Sequence, residues 1–512
     1  MILIYPPVAK PCEPPAGIAR LLGALKAHGI KGSAVDANLE GMLYLLHQTQ
    51  YPSDTWTYRA FRKRLDHLIS LRGRGIYGQP GQYRRAVGDV NRVLEQSSAD
   101  QGAIVSLSNY RHSKLSPVKS SDLVRAAGSP EENPFYPYFK SRLKESIESA
   151  GHRQIGFSLN YLSQALCTFA MIGFLKKTYA GLTIYLGGGL VTSWMSSPGW
   201  SNGRNPFAGL VDHMIAGPGE RPLLSLRGVD ALQEHYKPDY SPFLSNEYMA
   251  PGLILPYSAS DGCYWSKCRF CPESVEGNPY RPIPAGQMQS EIDDLCGCGE
   301  KKRPVLVHVL DNAMSKSFMK SMSCVGAGTP WYGFARVEEP LADPSFCESL
   351  RLSGCVMLKL GIESGDQGVL DRMQKGTNLE TVSRVLKTLA EAGIATYVYL
   401  IFGTPYESEY EAEKTLDFTV RHSSEIGFLN LALFNMPINS PDAAAFGTGT
   451  FYEGDLSLYT EFGHPKGWTR KRVKRFLEGT FKRHPAIAPI IRREPPFFTS
   501  NHAPLFKKPL PA

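Results

Sequence analysis

The sequence predicts an α/β protein in two parts: an open, doubly wound parallel sheet, then a barrel-like sheet of six strand–helix repeats. Two observations carry this. Short apolar runs of strand type alternate with stretches of helical spacing. Polar or glycine-rich segments recur directly after the strand-type runs, at the carboxyl edges where such sheets place their ligands.

The first part opens with a buried-type strand, Met1–Tyr5. Gly17–His28 follows with helical spacing of Ile18, Leu21, Leu22 and Leu25, and Ser33–Asp36 is a second strand. A long insertion, about 45–149, is polar, helical in tendency and basic, with Arg59, Arg62, Lys63, Arg64, Arg72, Arg74, Arg84 and Arg85. Charge runs of this kind are usually solvated faces. The sheet resumes with Ile155–Leu159, Ile184–Leu186 and His213–Ala216. Its expected carboxyl edge carries Pro6-Pro7, Asp36-Ala37-Asn38, Ser158-Leu159-Asn160, Gly187-Gly188-Gly189 and Gly217-Pro218-Gly219-Glu220. Three glycines in a row let the backbone approach a bulky ligand closely.

The second part has six candidate strands: Leu253–Tyr257, Val305–Leu310, Trp331–Ala335, Val356–Gly361, Thr396–Phe402 and Phe428–Phe434. The clearest helix between them starts at the capping-box pattern Thr377-Asn378-Leu379-Glu380, continues through Val382, Val385, Leu386 and Leu389, and stops at Gly393. The strands end, in order, in a cysteine loop, Asp311-Asn312, Arg336-Val337-Glu338, Gly361-Ile362-Glu363-Ser364-Gly365, Gly403-Thr404-Pro405 and Asn435-Met436-Pro437. Expected domains are 1–225, 226–445 and a basic C-terminal extension, 446–512.

The cysteine loop is the most informative segment: Gly262-Cys263-Tyr264-Trp265-Ser266-Lys267-Cys268-Arg269-Phe270-Cys271. Three thiolates from one loop suit three irons of a [4Fe–4S] cluster and leave the fourth iron open, which implies chemistry at the cluster. A zinc site is the alternative, with Cys296 and Cys298 as a second pair. A disulfide is less suited to the chain. Its ten cysteines are unremarkable in 512 residues, and Met1–Tyr5 runs into Pro6-Pro7 without a basic start or cleavage site. With no run of about eighteen apolar residues, the expectation is a cytoplasmic protein that spans no membrane.

With Phe270 just before the last cysteine, this loop resembles the cluster-binding loop of the radical S-adenosylmethionine (SAM) superfamily. The intervals here are four residues then two, where that family usually has three then two. The resemblance implies a partial (β/α)6 barrel and a [4Fe–4S] cluster on Cys263, Cys268 and Cys271, with SAM chelating the open iron. It also implies an external electron donor such as flavodoxin or ferredoxin. Glu363 matches the family's fourth-strand acidic or amide residue, which reaches the ribose or amino-acid moiety of SAM. Lys375 falls where relatives carry a basic residue for the SAM carboxylate. Arg336, Glu338 and Phe270 are further candidates for the same cofactor.

The segments of the first part, in order, resemble the Rossmann-like cobalamin-binding domain that precedes the barrel in one radical SAM subclass. The resemblance implies that Asn38, Ser158, Gly187, Gly188, Gly189, Gly217 and Glu220 line the corrin of a bound cobalamin. Asp212-His213-Met214-Ile215-Ala216-Gly217 departs from that domain's Asp-x-His-x-x-Gly motif, since His213 comes one position early and within a strand. Non-histidine residues are therefore expected at the lower face of the cobalt. The commonest reaction of the subclass is methylation of an unactivated carbon or phosphorus, one SAM remethylating cobalamin and a second activating the substrate.

Three other readings stand beside it. A ring contraction, cyclisation or other rearrangement would use the same architecture. A methylthiotransferase needs a second cluster in the first domain, where Cys12 and Cys167 are the only cysteines. A non-catalytic electron-transfer or sensing protein would leave SAM uncleaved. The formal charge of +8 gathers in the C-terminal extension, around Arg470-Lys471-Arg472-Val473-Lys474-Arg475, Lys482-Arg483 and Arg492-Arg493. Such a patch suits an acidic partner or nucleic acid, but no RNA-binding module accompanies it, so a small molecule or peptide is the expected substrate. Trp468, Phe476 and Phe481 predict that the extension packs as a small helical cap beside the barrel mouth.

Overall fold

Short parallel strands read as nearly continuous apolar runs when both faces are covered, and both predicted sheets form from such runs. The computed structural model describes residues 1–48, 54–197, 200, 205–297, 303–324, 328–450 and 453–506. The chain divides into two compact units, one of Met1–Leu253 with Tyr452–Leu458 and Pro496–Phe498, the other of the remainder.

In the first unit Ile2–Ile4 pairs in parallel with Ser33–Val35 on one side and Gln154–Ser158 on the other, and Thr183–Gly187 and His213–Ile215 extend the sheet. This is a doubly wound order whose direction reverses between the first and third strands. The crevice for a ligand opens at the carboxyl ends of that pair. The insertion is mostly helical, with Thr55–Leu71, Pro80–Ser98, Ser120–Gly128 and Tyr136–Ala150. Arg59, Arg62, Lys63, Arg74, Arg84 and Arg85 lie exposed on it. It also contains an antiparallel hairpin, Ala103–Val105 with Tyr110–His112. Strands of three residues are too short for the sequence's period-2 signal to register.

The second unit holds one six-stranded parallel sheet in strict chain order: Ile254–Tyr257, Leu306–Met314, Trp331–Ala335, Cys355–Glu363, Ala395–Phe402 and Phe428–Leu433. The first and sixth strands are its free edges. The second strand runs past Asp311-Asn312 to Met314, with a register shift after Val309, so those two residues lie within it. The helix predicted from a capping box spans Leu379–Glu391, and its cap is Asn378, whose side chain accepts from the N–H groups of Glu380 and Thr381 at 2.8 and 3.3 Å. Thr377 is buried one residue too early to serve.

The unit boundary falls at Leu253 rather than at residue 225. Tyr236 packs on Ala24 and Leu224, Tyr248 donates to Asp36 Oδ2 at 2.7 Å, and Met249 N–H donates to Pro11 O at 2.8 Å. These contacts hold 226–253 to the first sheet. The stretch 446–512 is likewise divided between the units. Its strands Gly447–Thr450 and Tyr459–Phe462 form a small antiparallel sheet with Met436–Pro437, which precedes it. The helix Arg470–Phe476 follows, and Phe476 and Phe481 pack on Phe402 at the end of the fifth barrel strand. Among the described residues, no helix is long and apolar enough to cross a membrane.

Candidate functional site

The cysteine loop hangs from a minimal hairpin, Ser260–Asp261 paired with Arg281–Pro282, just after the first barrel strand. Its root is fixed by Asp311, which accepts from Ala259 N–H and Ser260 Oγ at 2.7 Å each. Burial pushes the Asp311 carboxyl up to about 6. Gly262 has φ +74°, and a Cβ there would lie 2.4 Å from Pro279 O, so the loop can turn in only at glycine. Cys268 is buried; Cys263 and Cys271 are half-buried. Burial raises the Cys268 thiol, while the positive charges of Lys375 and Arg336 pull it back down. Burial likewise raises Cys271.

Against this loop the ends of the third and fourth strands gather the predicted SAM residues. Lys375 Nζ lies 2.8 Å from Glu363 Oε1, both side chains only 8% exposed. Gly361 leaves room for the pair, since a Cβ there would stand 2.4 Å from Glu363 Oε1 and 2.9 Å from Lys375 Nζ. The Lys375 ammonium also lies 5.7 Å from the Phe270 ring centre. Arg336 donates through Nη2 to Lys375 O, and its guanidinium stacks 4.2 Å from the Trp265 ring centre. Tyr264 OH donates to Glu338 Oε1 at 3.1 Å. Cys268, Phe270, Glu363, Lys375, Arg336 and Glu338 therefore share one edge.

These groups suit the expected cofactors. The buried Arg336 Nε and Glu338 Oε2 make no hydrogen bond within the protein, only longer ion pairs, Arg336 Nε to Glu338 Oε1 at 4.0 Å and Lys316 Nζ to Glu338 Oε2 at 3.6 Å, so their hydrogen-bonding capacity is not used up. Three soft thiols on one loop are the donor set for iron–sulfur chemistry. No three His, Cys, Asp or Glu side chains among the described residues converge as one metal ion needs, whereas a cube takes each thiolate on a different iron. Cys298, of the alternative zinc pair, lies outside the described residues; Cys296 is buried on the helix Ala285–Gly297.

Sequence reasoning missed Trp265 and Asp442. Trp265 Nε1 donates to Gln374 O at 3.1 Å, and its ring fills the place a Gly376 side chain would take. The signal was available as Lys375-Gly376. Asp442, far along the chain, pairs with Arg269 at 2.5 Å; spacing could not have revealed it.

In the first unit the predicted edge is assembled around Asn160. Its Nδ2 donates to Ser158 Oγ at 3.1 Å and its Oδ1 accepts from Gly189 N–H at 3.0 Å. Gly188 takes φ +110° with a would-be Cβ 2.5 Å from Leu159 O, which brings the Gly187–Gly189 turn flat against that strand end. Gly217 N–H donates to Thr192 Oγ1 at 2.9 Å, and the space beside its Cα is open. Tyr161 lies exposed at the same edge. Buried Gln164 ties the edge together, donating to Pro6 O and accepting from the N–H groups of Asn160 and Tyr161. Two predicted residues are engaged elsewhere: Asn38 Oδ1 accepts from Ala9 N–H at 2.7 Å, and Glu220 pairs with Arg20 at 2.6 Å. His213 lies in its strand, stacked on Tyr185.

The radical SAM superfamily model matches residues 335–419, from the end of the third barrel strand into the helix after the fifth. Over these residues the chain is similar to the radical SAM superfamily. Bacteriochlorophyllide d C-12(1)-methyltransferase of Chlorobaculum tepidum is 27% identical over 203 residues, covering 38% of this chain and 43% of that protein. The match thus spans less than half of that relative. Among solved structures, the radical SAM methyltransferase TsrM of Kitasatospora setae, with cobalamin and a [4Fe–4S] cluster bound, superposes with a TM-score of 0.55 at 12% identity, over 92% of this chain and 84% of its own. The cobalamin-dependent radical SAM enzyme OxsB, with aqua-cobalamin bound, gives 0.51 at 15% identity, over 64% of this chain and 58% of its own. These likenesses show a shared fold: an α/β chain with a doubly wound sheet and a six-stranded parallel sheet in chain order.

Proposed function

We propose that this chain is a cobalamin-dependent radical SAM methyltransferase that acts on an unactivated carbon or phosphorus centre. The observation that carries the reading is the meeting of the Cys268 loop with Arg336 and the Glu363–Lys375 pair at one edge of the barrel sheet. The likeness to TsrM and OxsB and the methyltransferase relative support the methyl-transfer and cobalamin parts.

Cys263, Cys268 and Cys271 hold the cluster. Glu363 and Lys375 hold the polar end of SAM, and Arg336 and Phe270 shape the wall beside it. A cluster held by the three cysteines and a SAM held by Glu363 and Lys375 would supply one-electron radical chemistry, and a cobalamin at the first unit's edge would supply a methyl carrier. Lys375, as a compact ammonium, offers a point charge to a carboxylate, and Glu363 accepts from ribose or amine donors.

In the first unit Ser158, Gly187–Gly189 and Gly217 line the corrin, while Asn38 and Glu220 are taken up by Ala9 and Arg20. His213, held in its strand and stacked on Tyr185, is not among the residues that would hold a cobalamin. The electron comes from an external flavodoxin- or ferredoxin-type donor, and the substrate is a small molecule or peptide in the cytoplasm.

Anaerobic purification with metal counting tests the reading. About four irons and one cobalt per chain, with 5′-deoxyadenosine and methylated product from SAM, are expected. Iron without cobalt would move the assignment to a rearrangement or cyclisation on the same barrel. An intact cluster that never cleaves SAM would make the protein an electron carrier or sensor.

A further inference from the structure

Cys263 and Cys268 are separated by Tyr264-Trp265-Ser266-Lys267, one residue more than the usual interval of the family this loop resembles. Ser266 adopts a left-handed φ of 43°, a kink that takes up the extra length. The longer arc carries Trp265 across to the turn Gln374-Lys375-Gly376. There its Nε1 donates to Gln374 O at 3.1 Å and its ring packs on Gly376, where a Cβ would stand 2.1 Å from Trp265 Cζ2.

That turn is unusual. Gln374 and Gly376 both have left-handed backbone, with φ of 54° and 65° on either side of Lys375. A left-handed residue bearing a Cβ persists where its surroundings over-determine it. Here three successive carbonyls are each claimed from outside the turn: Met373 O by Arg269 N–H, Gln374 O by Trp265 Nε1, and Lys375 O by Arg336 Nη2. Two of the three donors belong to the cysteine loop. The third, Arg336, is itself held face-on by the Trp265 ring at 4.2 Å. The ammonium of Lys375 is thereby aimed at Glu363 Oε1.

We propose that Trp265 is a positioning residue, which the lengthened cysteine interval makes possible. It locks the Gln374–Gly376 turn and Arg336 so that the Lys375–Glu363 pair is shaped for the aminocarboxylate end of SAM before SAM arrives. This rests on the SAM-binding reading above. Pre-organisation raises affinity by removing the ordering cost at binding. Trp265 acts on the turn and on Arg336, so its loss should weaken SAM binding while leaving the cluster in place.

The test uses the reconstituted full-length protein, with SAM itself as the probe. The dithionite-reduced cluster is titrated with SAM and followed by electron paramagnetic resonance, with iron counted in each sample. Trp265→Phe keeps a ring over Arg336 and loses the N–H; Trp265→Ala loses both. Both variants are expected to keep the wild-type iron content. The SAM midpoint should rise about tenfold in Trp265→Ala, the worth of one net hydrogen bond and a cation–π contact, and less in Trp265→Phe. Gly376→Ala, which drives a methyl into the indole, should shift the midpoint in the same direction. A Trp265→Ala midpoint equal to wild type overturns the proposal. Loss of iron in both tryptophan variants also overturns it, because Trp265 would then seat the cluster. A wild-type spectrum indifferent to SAM instead removes the SAM-binding reading beneath it, and the proposal falls with that reading.

Discussion

The Arg269 guanidinium holds Asp442 Oδ1 through Nη2 and Nε, at 2.5 and 3.2 Å, and so links the segments that follow the two free edges of the barrel sheet. Arg269 lies between Cys268 and Phe270, after the first strand. Asp442 lies on the helix Pro441–Phe446, after the sixth. The other Asp442 oxygen accepts from Tyr406 OH at 2.6 Å, so the loop after the fifth strand joins the same node. Asp442→Asn removes the charge while keeping an acceptor. A cost of about 1–2 kcal/mol is expected, between the worth of an exposed pair and that of a buried one. The cysteine loop should loosen, so iron should pass to a chelator several-fold faster from the variant than from wild type. Equal transfer rates would show that the node does not restrain the loop.

The cluster assignment makes a sharper demand on the cysteines. Cys268→Ala should abolish the broad visible absorption and most of the bound iron after reconstitution. Cys296→Ala, on a separate helix, should keep both. If Cys296→Ala loses the metal and the metal proves to be zinc, the paired-cysteine alternative replaces the cluster.

Lys375 and Glu363 form a nearly buried ion pair, so breaking it from one side leaves a charge without its partner. In urea unfolding of the apoprotein, Lys375→Met should cost about 3 kcal/mol. The double variant Lys375→Met/Glu363→Gln should recover much of that loss without recovering the response of the cluster to SAM. Additive single effects on stability would mean that the pair does not act as a unit.

All six barrel strands and all five strands of the first sheet could be read from the sequence, because buried parallel strands leave apolar runs that few other elements mimic. The cysteine triad was legible from its own spacing and Glu363 from its place at the end of the fourth strand, whereas Lys375, beyond the helix Gln367–Arg372, was reached only through the family resemblance. Pairings across long sequence distances were not. Arg20 with Glu220 and Arg269 with Asp442 rest on three-dimensional closure that no local period records. The split of the C-terminal stretch between units was hidden in the same way. Its short segments Tyr452–Leu458 and Pro496–Phe498 have no pattern of their own.

Gly188 gives a test confined to the first unit. With φ +110° and Leu159 O 2.5 Å from a would-be Cβ, Gly188→Ala is both strained and obstructed. A loss of about 1–3 kcal/mol is expected, along with a fall in bound cobalt. Iron content should hold, because the cysteine loop belongs to the other unit. A variant that lost iron and cobalt together would point to global unfolding rather than to a local change at the corrin edge.

Glu407 makes stability depend on pH in a direction opposite to that of most surface carboxylates. It is fully buried, accepts from Gly403 N–H and Trp468 Nε1 at 2.5 and 2.9 Å, and is pushed by desolvation from 4.5 up to about 8. The folded protein therefore holds this proton more tightly than the unfolded chain does. The associated stability is complete below the unfolded value of 4.5 and drains away as pH rises toward about 8. Glu407→Gln keeps a carbonyl for the same two donors and cannot ionise. The melting temperature of wild type relative to this variant should thus fall steadily between about pH 5 and pH 8. Asp311, also raised by burial, is present in both proteins and cancels in the difference. A difference that stays flat over this range would mean that Glu407 is already ionised in the folded state, with its two donors outweighing its burial.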